Sequence, residues 1–216
     1  MTETRQEVTV EGLRLELLAK KAIMIPSKSA LLIADVHLGK VNHFRKNGIP
    51  VPEPAGQNNL KRLSQIIDSE GPKEVIFLGD LFHSSANRAW PEFAEFMAGF
   101  PKVKFTLVVG NHDILGRHVF EDAGMTVVDH LKLGPLWLTH DRSERDEMFN
   151  LYGHIHPAVR LRGSGKQYLK VPCFFFNLKE RYGILPSFGD FTGSHVLKPD
   201  KDCVTFVTTG KEVLHV

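Results

Sequence analysis

The chain has little that would cross-link it, anchor it or repeat along it. Two cysteines among 216 residues, Cys173 and Cys203, are too few for a disulfide framework. Neither lies at zinc-site spacing from a second cysteine or a histidine, so both are expected as small buried hydrophobes. No apolar run approaches the roughly 20 residues of a membrane helix, and no membrane partner is expected. The stretch from Met1 to Glu7 is polar and contains acids, unlike a signal peptide, which points to a cytoplasmic protein. Strong charge is missing too: a net charge of +2 neither announces a nucleic-acid binder nor excludes one. Repeats and low-complexity segments are absent. A hydrophobic fraction of 42% over this length is enough for one substantial core, and we expect a single domain over residues 1–216.

Residues 7–25 alternate apolar and polar positions around Gly12, which predicts an opening hairpin or meander. Three short apolar runs follow, at 30–34, 75–78 and 103–109, each with the look of a strand buried on both faces. Between them, Leu60, Leu63, Ile66 and Ile67 recur at helical spacing before the stop at Gly71-Pro72. A second helix is expected over 89–99, with Pro91 in its first turn. Alternating strands and helices predict βαβ units and a parallel sheet. After about residue 125 the pattern changes to short β-like runs at 126–128, 136–139, 148–152, 174–177 and 204–208. These predict a second, mixed or antiparallel sheet packed on the first, with 179–195 as a long ordered loop.

The expected strands end in side chains that bind metals. Asp35-Val36-His37 follows the first run, Gly79-Asp80 the second and Gly110-Asn111-His112-Asp113 the third. His140 closes a fourth run and Gly153-His154-Ile155-His156 a fifth. Any one of these alone reads as a solvated strand terminus, and a lone His-x-His is usually a pair of surface side chains. Ligands of α/β sheets, however, sit outside the carboxyl ends of the strands, so the five clusters are expected to converge. Gly79, Gly110 and Gly153 each precede a candidate ligand, where a missing side chain permits close approach. A mixed nitrogen and oxygen donor set suits Mn, Fe, Zn or Co better than Ca or Mg.

In order and type these five blocks resemble the calcineurin-like metallophosphoesterases. The resemblance implies a four-layer α/β/β/α sandwich of two mixed sheets flanked by helices, in the α/β (α+β) class. It also implies a hydrolase with two divalent ions, Mn²⁺ first among the candidates. Asp35, His37 and His156 would hold one ion; Asn111, His140 and His154 the other; Asp80 would bridge them, with a hydroxide between the ions as nucleophile. His112 would act on the leaving group, with Asp113 orienting its ring. His118, His130, His195 and His215 have no motif around them and are expected to be structural or solvated.

Cations crowd the loops at the same sheet edge, among them Lys40, Lys46, Arg142, Arg145, Arg160, Arg162 and Lys166. We single out His43, Arg45, His83 and Arg142 as candidate substrate contacts, since such a rim suits a polyanionic strand. The Asp-x-His-Leu-Gly-Lys opening, the block Gly79 to Ser84 and the segment Leu185 to Gly193 resemble a bacterial ligase-associated DNA-damage-response subgroup. That likeness implies a phosphodiesterase or endonuclease acting on nucleic acid in DNA repair, with a DNA ligase and a helicase as partners. A phosphomonoesterase or nucleotide hydrolase is the alternative, and a non-catalytic scaffold on the same fold a more remote one.

Overall fold

Residues 6–25 form an antiparallel meander of β1 (Gln6–Val10), β2 (Leu13–Leu18) and β3 (Ala22–Ile25), in which burial alternates along β1 and into β2 but is continuous through β3. The structure is a computed structural model that describes residues 5–40, 54–82, 89–145, 147–163, 165, 167–190 and 192–216. A 3-10 turn over Pro26–Lys28 reverses the chain into β4 (Ala30–Ile33), which closes the meander antiparallel to β3. From β4 the sheet continues in parallel through β5 (Glu74–Leu78), β6 (Lys104–Val108) and β7 (Thr126–Val128). The crossovers carry α1 (Pro54–Glu70) and α2 (Ala89–Ala98), and α3 (Arg117–Asp122) precedes β7.

Among the described residues the second sheet has nine strands. Its spine runs β14 (His195–Val196), β11 (Pro157–Arg162), β12 (Tyr168–Asn177), β13 (Tyr182–Ile184), β10 (Phe149–Tyr152), β9 (Leu136–Leu138) and β8 (Leu131–Leu133). β15 (Cys203–Thr208) pairs with β12, and β16 (Val213–His215) pairs with β15. The pairs β9 with β10, β10 with β13, and β11 with β14 are parallel, so this sheet is mixed as well.

Two apolar layers explain the stacking. Leu15, Leu17, Ile23, Leu32, Ile76 and Leu78 of the first sheet meet Leu138, Phe149, Leu151, Phe174 and Phe176 of the second. Each such fully buried side chain contributes about 1.5–3 kcal/mol relative to exposure. On the opposite face of the first sheet, Leu63, Ile66 and Ile67 of α1, Phe93 and Met97 of α2 and Phe120 of α3 cover Leu31, Ile33, Val75 and Phe77. The outer face of the second sheet carries its own cluster, centred on Val159, Val171, Phe175 and Val207. Of the two helical outer layers expected, the described residues fill the one on the first sheet. No helix among them is long and apolar enough to cross a membrane.

Several local expectations change. Thr126–Val128 joins the first sheet, beside β6, because its register there aligns Val127 with Leu107. The stretch 179–195 is not all loop, since β13 and the start of β14 lie in it. The six-residue α3 is too short to show helical periodicity and has no side-chain cap. Cys173 is buried as expected, but Cys203 is half-exposed, and its thiol donates to the Asp200 carboxylate at 3.1 Å.

Candidate metal centre

The carboxyl ends of β4, β5 and β6 face the ends of β9 and β10 across the sandwich. Backbone bonds stitch these ends together: Asp35 N–H donates to the Gly79 carbonyl, and Gly153 N–H to that of His140. Phe188 N–H donates to the Ala34 carbonyl, which brings the loop after β13 against β4. Asp35, His37, Asp80, His154 and His156 all hold φ between 50° and 60°. Left-handed backbone at five side-chain-bearing residues costs each of them about 1–2 kcal/mol. The turns aim closely spaced side chains into the space between the sheet ends.

Two groups of donor atoms result, Asp35 with His37 and His156, and Asp80 with His140 and His154; within each, all atoms lie within 4.8 Å of one another. In the first group His37 Nε2 stands 3.3 Å from His156 Nε2, which is 3.4 Å from Asp35 Oδ1. In the second, His154 Nδ1 stands 3.0 Å from His140 Nε2, which is 3.4 Å from Asp80 Oδ1. The other oxygen of Asp80 lies 3.9 Å from His37 Nε2, so this one carboxylate reaches both groups. Around a cation with bonds of about 2.1 Å, donors at right angles stand about 3.0 Å apart and tetrahedral ones about 3.4 Å. The donor set and its spacings fit two transition-metal-type ions.

Ring orientation is set from outside. His140 Nδ1 is 3.0 Å from the Leu78 carbonyl, so it carries the proton and leaves Nε2 for the group. His156 Nδ1 likewise faces the Gly193 carbonyl at 2.9 Å. Asp35 accepts from the His154 backbone N–H at 3.0 Å, while its own carbonyl takes Ser187 Oγ–H at 2.9 Å. Burial raises the Asp35 carboxyl above its usual range, and His156 partly offsets that. For His156, burial works against the imidazolium but the Asp35 carboxylate outweighs it, so its pKa rises.

Close approach at two glycines makes this packing feasible. A β-carbon on Gly79, itself at φ +78°, would sit 2.1 Å from His140 Nδ1. One on Gly153 would sit 2.5 Å from Asp35 Oδ2.

The remaining candidates divide. Asn111 lines a cleft of about 290 Å³ together with His140, Thr139 and Arg142. The His112 backbone N–H donates to Asp80 Oδ1 at 2.9 Å, and its ring is 5.9 Å from that of His37, edge to face. Asp113, expected to orient His112, gives one oxygen to Gly110 N–H at 2.9 Å and the other to Phe82 N–H at 3.2 Å. It braces the loop that presents Asn111 and His112, and burial pushes its carboxyl up to about 6. Arg142 reaches the cleft but is tied to Glu180 at 3.0 Å and lies over the Tyr182 ring at 4.4 Å. His43, Arg45, His83, Lys46 and Lys166 lie outside the described residues. Lys40 is described, and the charges of Asp80 and Asp35 act on its half-buried ammonium. Of the histidines set aside as structural, His130 packs at a tilt against Trp137 and His215 against Phe206.

Sequence reasoning missed the supports: Ser187, the carbonyls of Leu78 and Gly193, and Asn150. The Asn150 amide bonds the Trp137 carbonyl at 2.9 Å and Thr139 Oγ1 at 2.8 Å, holding the chain that leads into His140. A carbonyl carries no residue signature, and a lone Asn or Ser carries little.

A family model described as calcineurin-like phosphoesterase (Metallophos) matches residues 29–197. Among solved structures, the nuclease MPE of Pseudomonas putida is similar at 28% identity and a TM-score of 0.81, over 99% of this chain and 100% of that one. The phosphoesterase Yfce of E. coli is similar at 14% identity and a TM-score of 0.43, over 87% of this chain and 97% of that one. No curated protein matches by sequence.

Proposed function

This chain belongs to the calcineurin-like phosphoesterase family and is a hydrolase of phosphoester bonds, and from that premise we propose that it is a metal-dependent phosphodiesterase of nucleic acid, with DNA as its substrate. One observation carries the two-ion part of this reading: the two oxygens of Asp80 face different donor groups, towards His140 and towards His37. Asp35, His37 and His156 would hold one ion and Asn111, His140 and His154 the other, with Asp80 between them and Mn²⁺ as the working metal. When bound, two such ions supply charge neutralisation at the phosphoryl oxygens and lower the pKa of water. The chain itself then has to orient the diester and deliver a proton. His112 would take the second task; its backbone N–H bonds Asp80 and its ring stands edge to face with that of His37. Lys40 would add positive charge beside the scissile phosphate.

Support for a diester comes from the likeness to the Pseudomonas putida nuclease, which extends over 99% of this chain. DNA repair as the setting, with a ligase and a helicase as partners, is supported by the sequence resemblance. The test is a panel of metals against substrates. We expect hydrolysis of bis(p-nitrophenyl) phosphate and of DNA oligonucleotides with Mn²⁺, abolition by chelator, and loss of turnover in Asp80→Ala and His112→Ala. Activity confined to p-nitrophenyl phosphate or mononucleotides would replace the diester reading with a monoesterase or nucleotide hydrolase. No hydrolysis with any of Mn, Fe, Co, Zn or Ni would overturn both.

A further inference from the structure

Beyond His156 the surface opens into a cleft of about 140 Å³, walled by His156, Ser187, Thr192, Gly193 and Lys21. Lys21 and Asp190 also line a second cleft of about 360 Å³, whose other walls include Lys20, Lys61 and Arg62. The two clefts share Lys21 and Asp190 as walls, so a candidate metal-donor histidine neighbours a basin where lysine and arginine outnumber the acid.

Lys21 is the unusual member. It ends the three-residue turn that joins β2 to β3, where its N–H donates to the Leu18 carbonyl at 3.0 Å, and it holds φ +67°. Hairpin loops of this length favour glycine at the left-handed position. A lysine there sets a β-carbon in strained backbone and a charge in partial burial. Burial pushes the Lys21 ammonium down to about 8; Arg62 adds to that and Asp190 opposes it. Asp190 is itself engaged, since Arg62 holds it at 3.1 Å. Arg62 is fixed in turn by Asn59 Oδ1 at 3.1 Å, by the Phe188 carbonyl and by the Phe188 ring 4.2 Å below its guanidinium. The acid in the basin is thus committed to a rigid arginine. Strained backbone clusters at ligand sites, so a strained and charged residue in a cleft beside the candidate centre is a candidate ligand contact.

We propose that Lys21, Lys20 and Lys61 form a second phosphate subsite, which takes a flanking backbone phosphate of the nucleic-acid strand whose scissile phosphate lies at the metal donors. The proposal rests on the phosphodiesterase reading above and adds a direction to it, since the strand leaves the centre past His156 and Gly193. Lysine ammonium groups act there as point charges on phosphate. Substrates too short to reach the basin gain nothing from it.

The test compares Mn²⁺-loaded wild type, Lys21→Gly, Lys61→Ala and the double variant on bis(p-nitrophenyl) phosphate and on a single-stranded DNA of about 12 nucleotides, long enough to span a groove of this kind. Lys102→Ala, a charge removed from an exposed turn, sets the background. We expect kcat/KM on the oligonucleotide to fall about tenfold further than on the small diester in Lys21→Gly, mainly through KM. The slope of log(kcat/KM) against log salt should become shallower by roughly 0.7 for each lysine removed. Lys102→Ala should keep the wild-type ratio and slope. Glycine suits the φ of position 21, so Lys21→Gly should melt no lower than wild type and misfolding would not explain a loss. Equal losses on both substrates, or a wild-type salt slope in the double variant, would overturn the subsite alone. Wild type that cleaves the small diester but no oligonucleotide would overturn the nucleic-acid reading, and the subsite with it.

Discussion

Each metal-donor side chain answers to a different neighbour, which makes the roles of adjacent residues separable. His154 presents Nδ1 towards His140, while His156 presents Nε2 towards His37 and Asp35. His154→Ala and His156→Ala should therefore each lower the metal content from two ions per chain towards one, measured by mass spectrometry of the dialysed protein. Loss of both ions in either variant would show one indivisible site. A second residue-scale prediction concerns Lys21, which faces Arg62 and Asp190 and shares its cleft with Lys20 and Lys61. Its folded pKa, about 8, lies below the ordinary 10.5, so between those values the unfolded chain binds more protons. Stability contributed at this position therefore rises with pH across that window. The urea midpoint of wild type should gain on that of Lys21→Gly between pH 7.5 and 9.5; a constant difference would show that Lys21 titrates normally. The candidate donors could be singled out in the sequence because carboxylate and imidazole are what a metal requires. Their supports were not, since Leu78 and Gly193 act through carbonyls that every residue possesses.

Strand ends determine whether donors can meet. Gly153 follows β10 and packs on Asp35, which follows β4, so the two sheets touch through a residue without a side chain. A methyl group there would meet Asp35 Oδ2 at 2.5 Å and Ala34 Cβ at 2.7 Å. Losing a group that orients a metal ligand typically costs about 10–100-fold in metal affinity or activity, so displacing the candidate ligand Asp35 in Gly153→Ala should cost at least that much activity, with the circular dichroism preserved. Wild-type metal affinity in that variant would show that the ends can part without harm. The elements themselves were unevenly legible. β4, β5, β6, α1 and α2 follow the expected runs because burial on two faces, or on one helical stripe, leaves a long pattern in the sequence. β7 was legible as a strand but not as a member of the first sheet, because three residues fit the edge of either sheet equally well by composition. α3, β8 and β14 are too short to leave any period.

At the scale of the molecule, the candidate centre is a clamp between sheets. Asp35, His37 and Asp80 come from the ends of β4 and β5, and His140, His154 and His156 from those of β9 and β10. Ions bound to such a site stabilise only the folded chain, by about 2.7 kcal/mol at a hundredfold excess over Kd. For a protein of this size that is roughly 5–10 °C in Tm for each site. Chelation should lower Tm by that amount and Mn²⁺ should restore it, as read by differential scanning fluorimetry. An unchanged Tm would mean that the donors do not hold the sheets together.

The sequence by itself determined the chemistry: donor types, their order, and their location after apolar runs follow from what metals and buried strands require. Tertiary structure decided the pairing. His154 and His156 stand two residues apart, yet they face different donor groups, because each takes a left-handed turn and meets side chains from distant strands. The same holds for Lys21, an unremarkable residue in a hairpin until the loop after β13 brings Asp190, and α1 brings Arg62, beside its charge. Apart from His140, 14 residues before His154, such partners lie far away along the chain, beyond any local pattern, and only the packing of the two sheets brings them into range.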